Sequence, residues 1–466
     1  MVGIGALIAA YSGLASLSVP TAAGAAARTT VERAAVTIQP GFLHTRHASA
    51  QPPTTAECEA TFSIACYEPG QIQQAYELPT LYGEGVNGSG TTIVIVDSFG
   101  SPTIRNDLNV FDHTFGLPAP PSFQIIQPAG AVPPYDPTNS DMVGWAGETT
   151  LDVEYAHTVA PGANILLVET PVSETEGVTG FPQIVTAEEY VLQHYHVDVI
   201  SQSFSATEQT FPSVASVEAL RGAYIDAYLH HVTVLSAAGD SGAANVELDG
   251  ETYYTYPTTA WPPSDPLVTG IGGTQLHLDA KGNHTSPDTV WNDTYSVPTN
   301  DFIFGDAGPN PLAGGGGTSI LFSRPFYQDG VADVVGSSRG VPDISMSAAC
   351  NGAVDTYQSF AGEPAGWYPA CGTSEATPLF AGIVALAAQV AGHPLGLINP
   401  ALYLMSALHL PGIVDVTSGN NTVSFFQDGA EYTVQGFTAQ QGYSLAAGVG
   451  TVNGALFVPE LARFAG

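Results

Sequence analysis

Short apolar segments of strand length alternate with helical patterns through the first half of the chain. Helical patterns lie at 186–195 and 214–228. The apolar segments are rich in Val, Ile and Leu and fall at 92–96, 164–168, 197–200 and 232–235. Buried strands separated by helices predict a parallel sheet that is covered on both faces. We therefore expect an α/β fold with a mostly parallel central sheet and helices on both faces, and sites built where the strands end.

The charge balance narrows the possible partners. The chain has 43 Asp and Glu residues against 9 Lys and Arg, a net charge of −34 at pH 7. Such a surface repels phosphate backbones and anionic lipid, so we expect neither a nucleic-acid nor a membrane partner. Two explanations of the acidity remain open: simple solubility, or service at low pH, where the net charge is small.

The cysteines and the N-terminal residues indicate the cellular compartment in which the protein works. Four cysteines fall into two local pairs, Cys58 with Cys66 and Cys350 with Cys371, and no zinc-type spacing occurs. Two short-range disulfides in an oxidising compartment fit this pattern, and buried free thiols are the alternative. Residues 1–26 carry an apolar run followed by small residues, which predicts a signal peptide and an extracellular protein. We expect 27–66 to be a linker or short pro-region and 67–466 to be the folded domain.

A candidate nucleophile lies in the segment 372–378, which reads Gly-Thr-Ser-Glu-Ala-Thr-Pro and leads into a long apolar helical pattern. A serine at a helix N-terminus has its oxygen in a positive field, which favours a developing negative charge. Gly372 would let a substrate backbone approach closely. The competing interpretation is that Ser374 or Thr373 is only an N-cap residue.

Two acidic features could serve such a nucleophile. Glu148 and Asp152 are four apart in a helical pattern, so both project from one face, and their like charges raise one another's pKa. Such a pair can act as a general base in acid, where histidine would be protonated. Glu154 lies off this face and is expected to be solvated. Asp240 follows the apolar segment 232–235 in a glycine-bracketed turn, where a protonated carboxyl could donate a hydrogen bond to an oxyanion.

These three segments together resemble the sedolisins, the serine-carboxyl peptidases. The resemblance runs from about residue 67 to the C-terminus and includes the glycine run 314–317, expected in a surface loop near the cleft. It implies a subtilisin-like fold and an acid-active endopeptidase for protein or peptide substrates, although tripeptide-releasing enzymes share the resemblance and the sequence does not separate the two activities. We also expect the enzyme to be secreted and to act as a monomer. The resemblance implies Ser374 as nucleophile, Glu148 as base oriented by Asp152, and Asp240 in the oxyanion hole. It also implies that the Cys350–Cys371 pair braces the nucleophile loop.

Two features depart from the family pattern. Sedolisins have a large folded prodomain, but only about 40 residues separate the expected signal peptide from residue 67, so either the enzyme folds without one or the sequence lacks its true start. The calcium ligands that the resemblance implies are Asp415, Val416, Gln440, Gly442 and Ser444. Ser444 stands where the family has a second Asp, and the loss of one carboxylate weakens an oxygen site for a hard cation.

Two alternative functions are open. A subtilisin-type peptidase would use Asp97, a histidine and Ser374, but none of the 12 histidines has the His-Gly-Thr context of that family. Asp240 also stands where that family has Asn. The second alternative is a catalytically inactive, secreted binding protein on the same fold. The intact set of Glu148, Asp152, Asp240 and Ser374 argues against it.

Overall fold

The predicted α/β architecture is confirmed. In the computed structural model, which describes residues 43–44 and 48–465, a central sheet contains eight strands in the order β11-β10-β8-β6-β3-β5-β4, with β14 also paired to β10. All its pairings are parallel except that between β10 and β11. The strands, numbered in chain order, are β1 (Leu43–His44), β2 (Cys66–Tyr67), β3 (Thr92–Ser98), β4 (Phe123–Ile126), β5 (Asn164–Thr170), β6 (Val199–Gln202), β7 (Ala206–Thr207), β8 (Thr233–Ala237), β9 (Ala260–Trp261), β10 (Thr269–Gln275), β11 (Thr289–Val290), β12 (Gly317–Ser323), β13 (Ser338–Val341), β14 (Ile344–Ser347), β15 (Ala353–Gln358), β16 (Gly366–Cys371), β17 (Ile413–Val414), β18 (Val423–Gln427), β19 (Ala430–Val434) and β20 (Thr451–Val452).

The helices cover this sheet on both faces. In chain order they are α1 (Thr55–Phe62), α2 (Pro69–Ala75), α3 (Leu78–Gly83), α4 (Ile104–Phe115), α5 (Ser140–Val159), α6 (Phe181–His194), α7 (Val214–Glu218), α8 (Gly222–Leu229), α9 (Val297–Ile303), α10 (Ala332–Val335), α11 (Thr373–Ala391), α12 (Asn399–Ala407) and α13 (Gly454–Phe464). Short 3-10 helices lie at Glu208–Thr210 and Phe326–Val331. The single helical pattern expected at 214–228 is thus divided into α7 and α8.

Alternation along β3 divides the core into two layers. Ile93 and Ile95 pack into the layer that contains α5 and α11, whereas Val94 and Val96 pack into the layer that contains α6 and α8. Successive side chains of a strand point to opposite faces, so a run that is apolar at every position is buried on both sides. Burial on both faces explains why polar residues do not alternate with apolar ones along β3. Helices α5 and α11 lie together on one of these faces.

The domain begins earlier in the chain than the expected start at residue 67. Helix α1 carries Cys58, which is fully buried and bonded to Cys66. Strand β1 pairs with β16, Leu43 opposite Cys371, and β2 pairs with β15. Over its described residues, 43–44 and 48–66, the interpretation of 27–66 as a linker or short pro-region was therefore wrong. The sequence shows little periodicity here because the core contacts of this stretch are few, scattered and partly covalent. The expected signal peptide at 1–26 lies outside the described residues.

Helix α11 is long and apolar enough to cross a membrane by length and composition. In the structure, 83% of its apolar window is buried inside the protein. It packs along α5 and across the central strands, which is the position of a core helix. Its composition therefore follows from burial within the domain.

Candidate active site

Helix α5 carries the acidic pair. Its N-terminus is capped by Asn139, whose side chain accepts hydrogen bonds from the amides of Asp141 and Met142. From Gly144 onward every residue of α5 is buried, because the helix is enclosed by the sheet, α4 and α11. Glu148 and Asp152 lie one turn apart and are both fully buried. Two carboxyls are thus held inside the protein beside the first turn of α11.

Ser374 lies in that first turn. Gly372 precedes α11 with a φ of 115°, a conformation that a side chain would strain. The Ser374 hydroxyl donates to the carbonyl oxygen of Ser203 over 3.3 Å, and Ser374 is only 1% exposed. The Ser203 hydroxyl in turn donates to Asp152 Oδ1 over 2.7 Å. Ser203, which the sequence analysis did not single out, therefore links the nucleophile candidate to the acidic pair.

The Glu148 carboxyl is close to the Ser374 hydroxyl. Burial raises the pKa of Glu148 well above its usual value, a nearby negative charge on Asp97 raises it further, and the Ser374 hydroxyl lowers it in part. Neither oxygen of Glu148 has a hydrogen-bond partner of good geometry within 3.5 Å. The two groups are therefore adjacent without a formed hydrogen bond, as is common for catalytic pairs before substrate binds.

Asp97 adds a third carboxyl to this cluster. It lies near the end of β3 and is fully buried, and burial raises its pKa to about 7. Burial also raises the pKa of Asp152, and Asp97 and Glu148 raise it further. Asp97 entered the sequence analysis only through the subtilisin-type alternative. Its position at a strand end was the available signal, but the distance from β3 to α5 in the sequence concealed their contact.

Asp240 is bonded to the residue that precedes Ser374. Its Oδ1 accepts hydrogen bonds from the amide and the hydroxyl of Thr373, each over 2.7 Å. Its Oδ2 is buried and has no partner. Burial raises the pKa of Asp240 to about 7, against the lowering effect of the Thr373 bonds. Below that pH the carboxyl is neutral and can donate one hydrogen bond.

The glycine run packs behind the Asp240 turn. Gly315 donates from its amide to the carbonyl oxygen of Gly239 over 2.7 Å, and a Cβ on Gly315 would lie 2.1 Å from the carbonyl oxygen of Ala238. All four glycines at 314–317 are buried. The expectation of a surface loop was wrong, because the buried run 314–317 packs against the turn that contains Asp240 and supports it. Its glycines are explained by close approach of two backbones.

A disulfide and several hydrogen bonds hold the loop before Ser374 in place. A disulfide joins Cys350 to Cys371, and the pairing of Cys58 with Cys66 is likewise formed, so both predicted bridges are confirmed. The amide of Gly372 donates to the carbonyl oxygen of Ala348 over 2.8 Å. Asp293 accepts from the Trp291 indole over 2.8 Å and from the Cys350 amide over 3.1 Å. These ties fix the nucleophile turn against the end of β14.

The structure corrects the expectation about Glu154 of α5 and also shows where His157 lies. Glu154 is fully buried rather than solvated, and it accepts a hydrogen bond from the amide of Tyr357 over 3.1 Å. The prediction failed because β15 covers the face of α5 that the sequence alone would assign to solvent. His157 is also buried, with Nε2 2.7 Å from the carbonyl oxygen of Pro118 and 3.3 Å from Asp112. It packs against α4 and is engaged there.

The residues implied for calcium do not make a convincing cation site. Asp415 is exposed and its Oδ1 accepts a hydrogen bond from the amide of Gly442 over 3.0 Å. The Ser444 hydroxyl accepts from the amide of Ala447 over 3.1 Å and is 2% exposed. In the described part of the chain, no group of three or more His, Cys, Asp or Glu residues is arranged to hold a metal ion. With one carboxylate and an engaged hydroxyl, the set does not fit a tight calcium site.

The chain is similar in sequence to several known proteins. A family model described as the subtilase family matches residues 139–447. Kumamolisin from Bacillus sp. (strain MN-32) is 32% identical over 377 residues, which are 77% of this chain and 58% of kumamolisin. Sedolisin from Pseudomonas sp. (strain 101) is 28% identical over 386 residues, 81% of this chain and 59% of sedolisin. Mouse (Mus musculus) tripeptidyl-peptidase 1 is 28% identical over 326 residues, 66% of this chain and 51% of that protein.

A solved structure shares the fold. Pseudomonas sedolisin complexed with two molecules of pseudo-iodotyrostatin superposes with a TM-score of 0.67 at 23% identity, covering 86% of this chain and 99% of that one. The chain therefore belongs to the subtilase family, and its similarity to kumamolisin and sedolisin supports the sedolisins, the serine-carboxyl peptidases, as its group. It spans less than two thirds of the length of the curated relatives named above.

Proposed function

We propose that this chain is a secreted, acid-active serine endopeptidase that hydrolyses protein or peptide substrates through an acyl-enzyme on Ser374. The observation that carries the proposal is the buried Glu148 carboxyl beside the Ser374 hydroxyl, one helical turn from Asp152. A serine nucleophile needs a base, and a carboxylate remains a base in acid, where an imidazole is protonated.

The protonation states follow from the carboxyl cluster. Glu148, Asp152 and Asp97 repel one another's charges, so they lose their protons in separate steps as the pH rises. We propose that the working form carries a single negative charge, on Glu148, while Asp152 holds Glu148 in place. Asp240 is neutral in the same range because its pKa is raised to about 7.

The acylation step uses Ser374, Glu148 and Asp240. Ser374 Oγ attacks the carbonyl carbon of the scissile bond and its proton passes to Glu148. The carbonyl oxygen becomes an oxyanion that accepts hydrogen bonds from the Asp240 carboxylic acid and the Ser374 amide. Glu148 then gives its proton to the leaving amine as the C–N bond breaks. Water hydrolyses the ester by the same route, and this returns the proton to Ser374.

The disulfides and the acidic composition support an extracellular enzyme. Two disulfides close short loops in an otherwise well-packed domain, as suits an oxidising compartment. We also propose that the protein acts as a monomer. The large excess of carboxylates is nearest to neutrality in acid, where self-repulsion is weakest.

The test is cleavage of a denatured protein substrate from about pH 2.5 to 8, the range over which carboxylates and then histidine titrate. The control is Ser374→Ala. Activity with an acid maximum that disappears in Ser374→Ala is the expected result. A maximum at neutral or alkaline pH would point to a histidine base, and an active Ser374→Ala variant would overturn the proposal. Because relatives include tripeptidyl-peptidases, the products are sequenced: internal cuts support an endopeptidase, and only N-terminal tripeptides contradict it.

A further inference from the structure

Glu375 follows the candidate nucleophile directly and has no role in the proposed mechanism. It lies in the first turn of α11 and is fully buried, and neither of its carboxyl oxygens has a hydrogen-bond partner of good geometry. The side chain that approaches it is Ser347, the last residue of β14, whose hydroxyl is also buried without another partner. Two polar groups that would otherwise be unsatisfied therefore meet between α11 and β14.

This contact would add a third tie between the nucleophile turn and the segment that ends β14. The first is the disulfide from Cys371 to Cys350, and the second is the hydrogen bond from the Gly372 amide to the Ala348 carbonyl oxygen. A neutral Glu375 can donate its proton to the Ser347 hydroxyl oxygen. This hydrogen bond would hold the residue that follows Ser374 in α11, whereas the other two ties hold residues that precede Ser374.

The surroundings of Glu375 disfavour a negative charge. The charged group that faces it is Asp240, an acid from the loop after β8. The hydroxyls near it belong to Tyr67, Tyr76 and Tyr155, from β2, the end of α2 and α5, and a charge on Glu375 raises the pKa of each. Burial is the largest cause of a pKa for Glu375 well above its ordinary value, and the Ser347 hydroxyl lowers it only in part. An unpaired buried charge is costly, so the closed turn favours the neutral form of Glu375.

We propose that Glu375 is a positioning residue that holds the Ser374 turn closed as a neutral carboxylic acid bonded to Ser347, and that its ionisation opens this turn. Its consequence for catalysis rests on the proposed function, but the closed and open turns differ whether or not the protein cleaves peptides. The proton goes to solvent when the turn opens, and no bond is made or broken.

The sign and size of the effect follow from linkage. The turn is stabilised below the ordinary pKa of about 4.5, and this stabilisation is lost as the pH rises towards the higher pKa of the closed state. In that interval opening releases one proton, so its equilibrium constant rises about tenfold per pH unit. Asp240 also faces the turn and titrates in the same direction, so the experiment must compare variants that share it.

The experiment measures hydrogen exchange by mass spectrometry between about pH 4 and 8, on the Ser374→Ala background so that the chain cannot digest itself. Protection of the amides at 371–376, corrected for intrinsic exchange, is compared with that of α12, which contains no acidic residue. The comparison is between the parent, which keeps Glu375, and Glu375→Gln, which retains an amide donor for Ser347 and cannot ionise. Glu154→Gln is the matched control, because Glu154 is a second fully buried carboxyl on a neighbouring helix.

The expected result is that the protection ratio of Glu375→Gln to the parent rises about tenfold per pH unit above about pH 4.5 in the turn and stays constant in α12. Glu154→Gln should leave the turn as in the parent. Equal pH dependence with Glu375 and Gln, or an equal effect of Glu154→Gln on the turn, would overturn the proposal. If Glu375→Gln does not fold, Ser347→Ala replaces it: reduced turn protection in acid supports the tie, and unchanged protection contradicts it.

Discussion

Replacing Asp240 tests whether a neutral carboxylic acid serves as the oxyanion donor. Its Oδ1 is occupied by two hydrogen bonds from Thr373, so Oδ2 is the atom left to donate. With a pKa of about 7, Asp240 is almost wholly protonated in acid. Asp240→Asn keeps an acceptor for Thr373 and an N–H donor at the second position, whereas Asp240→Ala removes both.

The magnitudes of the two changes should differ widely. Removal of one oxyanion donor costs about 10²–10³ in kcat, or roughly 3–4 kcal/mol of transition-state stabilisation. We expect this loss in Asp240→Ala, and a kcat within about tenfold of the parent in Asp240→Asn because a neutral donor remains. The raised pKa means that the donor is present below about pH 7 and is lost as the pH rises through that value. The alkaline limit of kcat should therefore move upward in Asp240→Asn.

The assay is the initial rate of hydrolysis of a fluorogenic peptide as a function of pH, with kcat and KM separated and folding checked by circular dichroism. Short exposures keep the effect of Asp240 apart from any slower opening of the Ser374 turn. Two results would refute the reasoning: Asp240→Asn as inactive as Asp240→Ala, or an alkaline limit that stays at the same pH in Asp240→Asn.

Three further predictions concern positioning, packing and metal. Ser203→Ala removes the hydroxyl bonded to the neutral Asp152 carboxyl, and such a hydrogen bond is worth about 0.5–1.5 kcal/mol, so kcat should fall by about two- to tenfold with little change in KM. An unchanged kcat would exclude the link. Gly315→Ala forces a Cβ against the Ala238 carbonyl oxygen and should cost about 1–3 kcal/mol in chemical denaturation, whereas Gly330→Ala, with open space around it, should be nearly neutral; equal costs would contradict the close approach. In thermal unfolding, a chelator should leave Tm unchanged in the parent. Ser444→Asp, which restores the second carboxylate of the implied ligand set, should make Tm rise with calcium. A chelator-sensitive parent would show that the present residues already bind the ion.

The fold could be predicted because its strands are buried on both faces. The runs at 92–96 and 164–168 form β3 and β5, which begin at the predicted residues and extend two residues further. A short run that is apolar at every position and lies between helical patterns favours a strand buried on both faces. The stretch before residue 67 could not be predicted, because α1 is tied to the domain through Cys58 and a few buried side chains rather than through a periodic apolar face.

The candidate site was predictable to the extent that its groups lie within short segments. The Glu148 and Asp152 pair and the Ser374 turn each follow from local spacing in a helix. Ser203, the contact of Asp97 with the acidic pair and the burial of Glu375 were missed because each depends on which strand or helix covers the group. Glu154 shows the same limit, since the helical pattern gives its direction but does not reveal that β15 covers it.

The central claim is that Glu148 is the base for Ser374. The measurement that tests it most directly is the rate at which an active-site-directed acylating reagent modifies Ser374, located by mass spectrometry across acid and neutral pH, in the parent and in Glu148→Gln. General-base catalysis contributes about 10²–10⁴-fold, so the account predicts modification of Ser374 in acid and a loss of that size in Glu148→Gln. Equal rates in the two proteins, or a rate that rises with the titration of a histidine near about pH 6.5, would contradict it.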